Sequence, residues 1–170
     1  MNKNLLTRIR NFILLLTVQV FVFSRIHLFG YATACIYLIF ILKQPRHTKT
    51  SELLIWGFLS GLIVDMFNNT PGVHAAAATA MCFARNPILA IFTHKGMADD
   101  FIPGVKNIKW GGYMVYSALC IAIFYTLLFM LELFTFSYPS ILILCILSST
   151  MLTMLFVAVI ELFSSKGQRQ

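Results

Sequence analysis

Charge is what this chain has least of. Asp, Glu, Lys and Arg make up 11% of its 170 residues, against roughly a quarter in soluble domains, while 59% of the residues are hydrophobic. An ordinary soluble fold is excluded, because sixteen Phe and eight Met exceed what a water-facing domain of this size could cover. The chain reads as an integral membrane protein. Acidic residues number six, and only Asp65, Glu132 and Glu161 fall within apolar runs, too few for a proton relay through a bilayer.

Enzyme signatures are missing as well. There is no G-x-S-x-G, no H-E-x-x-H, no Gly-rich phosphate loop and no pair of carboxylates at helical spacing within a span, so no catalytic residue is assigned. The four cysteines, Cys35, Cys82, Cys120 and Cys145, show no C-x-x-C and no His at metal-ligand spacing; they read as small buried residues, with no metal or cofactor expected. The net charge of +7 comes from basic residues scattered singly between apolar runs, a pattern of membrane topology and not of nucleic-acid binding.

What is present is a succession of apolar runs. Residues 1–10 carry Lys3, Arg8 and Arg10 and lead into an apolar stretch, as in a signal peptide, with Ala32 and Ala34 preceding Cys35. Arg25 and His27 interrupt that pattern, so retention as a membrane helix is expected. The runs predict an all-α bundle of six transmembrane helices in a single domain, over residues 12–29, 30–43, 53–67, 73–92, 112–134 and 141–163. The fourth is interrupted at Arg85-Asn86-Pro87, and polar loops cover 44–52 and 93–111. The third run at 1.5 Å per residue reaches only about 22 Å, short of a core of roughly 30 Å, and suits a span sheltered among other helices. Placing both termini in the cytoplasm puts Lys3, Arg8, Arg10, Lys43, Arg46, Lys49, Arg85, Lys95, Lys106, Lys109, Lys166 and Arg169 on or near the inner side and leaves Arg25 alone outside.

The densest information lies between Glu52 and Arg85. Gly57, Gly61 and Asp65 stand four residues apart and therefore share one helical stripe, followed by the turn Asn68-Asn69-Thr70-Pro71-Gly72 and a second segment opening with His74 and Ala75 to Ala78. Small faces of this kind let helices approach closely in lipid, which predicts a tight hairpin. Pro71 and Gly72 are turn residues with a mechanism, fixed φ followed by permitted positive φ. Asp65 is expected either to cap this turn or to pair with Arg25 or His74, and Glu132 is a second carboxylate at the depth of Arg25. His74 is expected to bond a turn carbonyl, Gln19 to hydrogen-bond across helices, and Glu161 to form an exposed pair with Lys166.

The segment Gly61-Leu62-Ile63-Val64-Asp65-Met66-Phe67, followed by Thr70-Pro71-Gly72-Val73-His74-Ala75-Ala76, resembles the MreD family, the rod-shape-determining membrane proteins of bacteria. The opening Gln19-Val20-Phe21-Val22-Phe23 to Ile26-His27-Leu28-Phe29-Gly30-Tyr31 is similar to the Bacteroidetes-type version. The resemblance implies a non-catalytic scaffold in the inner membrane that binds MreC, and through it the MreB filament, the RodA glycosyltransferase and its transpeptidase partner in peptidoglycan synthesis. It also implies a fold similar to the substrate-binding subunits of energy-coupling-factor vitamin transporters. That likeness supplies the alternative function, a small-molecule-binding transporter subunit, for which Asn68, Asn69, Thr70, His74 and Ser137 are the available outer polar groups.

Overall fold

The computed structural model describes residues 3–21, 33–93, 101–133 and 139–166. The elements in order are α1 (Lys3–Phe21), α2 (Leu38–Leu42), α3 (Thr50–Asn68), α4 (Val73–Phe92), α5 (Val105–Ile108), α6 (Trp110–Leu133) and α7 (Pro139–Lys166), with no strand among the described residues. Four helices, α3, α4, α6 and α7, are long and apolar enough to cross a membrane. The chain is an all-α protein with the character of a membrane protein.

Helix α7 is inside-out relative to a soluble helix. In α7 the buried positions Cys145, Ser149, Thr153, Val157 and Glu161 recur every four residues, while Ile143, Leu144, Leu147, Met151, Leu155, Leu162 and Phe163 lie exposed. A stripe of small and polar groups thus packs inward and bulky aliphatic groups face outward, as lipid solvation requires. On α6 the buried row Tyr113, Tyr116, Ser117, Cys120, Ile121, Phe124, Tyr125 and Leu128 follows the 3.6-residue period and meets both α4 and α7.

The third span gains its length at its ends. Helix α3 takes in Thr50, Ser51 and Glu52 before the apolar run and Asn68 after it, so 19 residues span about 28 Å. Helix α4 coincides with the expected span 73–92 and runs unbroken through Arg85, Asn86 and Pro87, where the apolar run is interrupted. Pro87 is exposed, and burial resumes at Leu89, so tertiary packing carries the helix past the missing N–H donor. The largest departure is at 30–43, where a span is expected. Its described part holds only the five residues of α2, preceded by irregular backbone at 33–35 and a turn at 36–37.

The end of the bundle at which α3 begins is held by charged groups. Arg8 of α1 pairs with Glu52 at 3.0 Å and donates to the Gln44 side chain. Arg85, fully buried on α4, donates to the carbonyls of Leu42 (3.4 Å) and Gln44 just past α2, and to Asn86 Oδ1 at 3.1 Å. It is therefore an interior cap for the segment that follows α2. Glu161 is buried, not exposed as expected, and pairs with Lys43 at 2.7 Å while accepting the Val105 N–H at 3.1 Å; the side chain of Lys166, its expected partner, lies outside the described residues.

Helices α3 and α4 make the closest approach. A Cβ at Gly61 would lie 2.4 Å from the Ala75 Cα and 2.5 Å from both the Ala75 nitrogen and the His74 carbonyl oxygen; at Gly57 it would meet the Cys82 Sγ at 2.4 Å. The obstacle at Gly61 is backbone, and the nearest one at Gly57 is a side chain that can rotate. Gly61→Ala is therefore expected to cost on the order of 3 kcal/mol and Gly57→Ala about 1 kcal/mol. Cys82→Ala is expected to recover part of the second loss and none of the first. Thermal unfolding of the purified variants in one detergent gives the order.

Candidate functional site

The hairpin turn is built around the Asp65 carboxylate. Helix α3 ends at Asn68; Asn69 (φ 58°) and Gly72 (φ 85°) adopt left-handed conformations, which glycine takes without strain and asparagine tolerates. Gly72 is the N-cap of α4 and brings no side chain, so the first N–H groups of that helix need an outside acceptor. Asp65 supplies it. Its Oδ1 accepts the His74 N–H at 3.0 Å, the His74 Nδ1 at 2.9 Å and the Thr70 hydroxyl at 2.9 Å, and its Oδ2 accepts the Ala75 N–H at 2.9 Å.

A buried charge of this kind is tolerated because every oxygen is engaged and the α4 dipole presents its positive end. Of the two partners expected for Asp65, the structure brings His74 to it; Arg25 lies outside the described residues. His74 bonds the carboxylate where a turn carbonyl is expected. Pro71 and Gly72 are exposed at the tip of the turn.

A second construction lies beside the first. Gln19 of α1 is buried and clamps the irregular backbone of 34–36, donating from Nε2 to the Ala34 carbonyl at 3.0 Å and accepting the Ile36 N–H on Oε1 at 2.7 Å. It bonds backbone, where a partner on another helix is expected. From the other side, Tyr125 Oη of α6 donates to the Thr33 carbonyl at 2.6 Å and accepts the Cys35 N–H at 3.0 Å. The Thr153 hydroxyl of α7 lies 2.6 Å from Tyr125 Oη, and Ser149 Oγ accepts the Thr33 N–H at 3.1 Å. Non-helical backbone can sit among membrane helices only if its polar groups are satisfied this way.

Between the two constructions lies an open cavity of about 300 Å³, lined by Gln19, Thr33, Ala34, Cys35, Phe67, Asn68, Thr70, His74, Leu128 and Glu132. It brings Gln19, His74 and Glu132 together from the expected set, while Gly57 and Gly61 face α4 further along the hairpin and take no part. Sequence reasoning missed Arg85, Tyr125, Ser149 and Thr153. The readable signal is the four-residue spacing of Cys145, Ser149 and Thr153 inside an otherwise aliphatic run, which marks the inward face of α7.

Compared with known proteins, the chain matches no family model, no curated protein and no solved structure.

Removing the carboxylate strands four donors, two of them N–H groups in the first turn of α4. Asp65→Ala is expected to destabilise the protein by about 3 kcal/mol and Asp65→Asn by nearly as much, since an amide cannot accept on both sides. Thermal unfolding in detergent reads the effect, and hydrogen exchange at the Val73 to Ala76 amides localises it.

Proposed function

We propose that this chain is a non-catalytic membrane scaffold of the MreD type, in the machinery that directs lateral peptidoglycan synthesis and cell shape. In this reading it sits in the bacterial inner membrane with α3, α4, α6 and α7 as spans, in a fold similar to the substrate-binding subunits of energy-coupling-factor transporters. It binds MreC and reaches MreB, RodA and the transpeptidase through it. The reading rests first on the resemblance of the 61–76 block. What supports it in the structure is that this same block is the tightest joint of the fold, Gly61 against Ala75 and Asp65 over the start of α4.

The joint changes where a partner can dock. The glycine stripe is covered by α4 of the same chain, so it is not open to a partner helix, and bulky residues at Gly57 or Gly61 act first on folding. The opposite face of α3 carries Ile55, Phe58, Leu59, Leu62 and Met66, all exposed. A rigid hairpin presenting that ridge offers a single-span partner a continuous apolar surface.

A second reading, a small-molecule-binding subunit of a transporter, is favoured by one observation: the cavity beside the turn, with Asn68, Thr70 and His74 among its walls.

Co-expression with tagged MreC and detergent pull-down tests the first reading. Wild-type protein is expected to co-purify with MreC, and Leu62→Trp to reduce recovery by roughly tenfold or more, as at an interface hot spot, while its own size-exclusion profile stays unchanged. Failure of the wild-type chain to retain MreC overturns the scaffold reading.

A further inference from the structure

The cavity has walls of unequal chemistry. Among the described residues one carboxylate, Glu132, lines it from the exposed end of α6. The other polar groups are the Asn68 amide, the Thr70 hydroxyl, the Gln19 amide and the backbone of 33–35. Phe67 and Leu128 supply apolar surface. His74 is the only basic side chain in the described lining, and its Nδ1 is held on the Asp65 carboxylate at 2.9 Å. Among the described lining residues, Glu132 is therefore the one carboxylate, beside neutral polar groups and a His74 ring already held by Asp65.

An anion would find no Lys or Arg in the described lining. A metal ion would find one carboxylate and one imidazole already engaged, too few donors for a protein cage. An ammonium group carries three donors and no acceptor, which suits the Glu132 carboxylate first, with the Asn68 amide oxygen and the second lone pairs of the 33–35 carbonyls as neutral acceptors. The volume, about 300 Å³, stands at the small end of ligand pockets, roughly 300–1,000 Å³, and fits a compact head group with a short apolar stem along Phe67 and Leu128. The walls are also preorganised: Gln19 fixes 34–36, Tyr125 fixes Thr33 and Cys35, and Asp65 fixes Thr70 and His74. Little ordering remains to be done on binding.

We infer that this cavity is a binding site for a protonated primary amine, with Glu132 as the counter-charge. The ligand class rests on the small-molecule reading of the cavity given above. Two sources share this chemistry, a free small amine and the ethanolamine head group of a membrane lipid.

The full chain, purified in a maltoside detergent, is unfolded thermally with increasing ethanolamine, and in parallel with acetate and glycerol. Ethanolamine is expected to raise the midpoint saturably. Glu132→Gln is expected to weaken the effect about tenfold or more, and Glu132→Asp to retain most of it. In nanodiscs of mixed phosphatidylethanolamine and phosphatidylcholine, preferential retention of phosphatidylethanolamine, displaced by ethanolamine and lost in Glu132→Gln, identifies the lipid as the source. An ethanolamine response without that preference identifies a free amine. Stabilisation by acetate or glycerol but not ethanolamine overturns the amine assignment and leaves a small-molecule cavity standing, as does an ethanolamine response equal in wild type and Glu132→Gln. Absence of any response in every arm, with no lipid preference, overturns both.

Discussion

The fold depends on one carboxylate held away from water. Asp65 closes α3 and begins α4 at once, because the α4 N-cap is a glycine and the helix has no cap of its own. Its position requires the helices to meet within a few ångströms, and Gly61, one turn earlier on the same stripe, is what permits that approach. The two features are coupled. A side chain at 61 would lift α4 off the carboxylate, and loss of the carboxylate would leave the close approach with uncapped backbone in a medium that offers no substitute donors or acceptors.

The same constraint explains the buried irregular segment. Residues 34–42 are all buried, yet only five of them are helical, so the N–H and C=O groups of 33–36 need partners from elsewhere. They find them on three separate helices, in Gln19, Tyr125, Ser149 and Thr153. At the other end of the segment Arg85 takes the carbonyls of Leu42 and Gln44. Gln19, Tyr125, Ser149, Thr153 and Arg85 are thus accounted for by backbone that left helical geometry. The aromatic contacts of Phe12, Phe40 and Trp56 seal α1, α2 and α3 around the same segment, with centroids 4.8 to 5.4 Å apart.

Much of this is legible in the amino-acid order where period and punctuation agree. The stripe of Gly57, Gly61 and Asp65 needs only the four-residue spacing, and the turn at 68–72 needs only the asparagines, proline and glycine; the long runs at 112–134 and 141–163 lie within a few residues of α6 and α7. The failure at 30–43 has a physical cause. An apolar run reports burial, and burial is what the structure shows, but a run with so few polar residues carries no phase from which to tell a span from a folded-back segment. Arg85 and Glu161 are illegible for a related reason. Their partners, the Leu42 and Gln44 carbonyls and Lys43, belong to that same segment, so no spacing along the chain reveals them.

The distribution of polar groups also separates two roles within one bundle. At the end where α3 begins, opposite charges are paired, Arg8 with Glu52 and Lys43 with Glu161, and Arg85 is taken up by carbonyls; every one of these contacts ties one element of the chain to another. At the turn end, Asp65 and His74 serve the hairpin, while Glu132 stands exposed on a cavity where Gln19 holds backbone and Thr70 holds Asp65. A carboxylate that stabilises no helix end and joins no pair among the described residues adds nothing to the packing described here. Its position over preorganised acceptors is the feature of this bundle that packing alone does not explain.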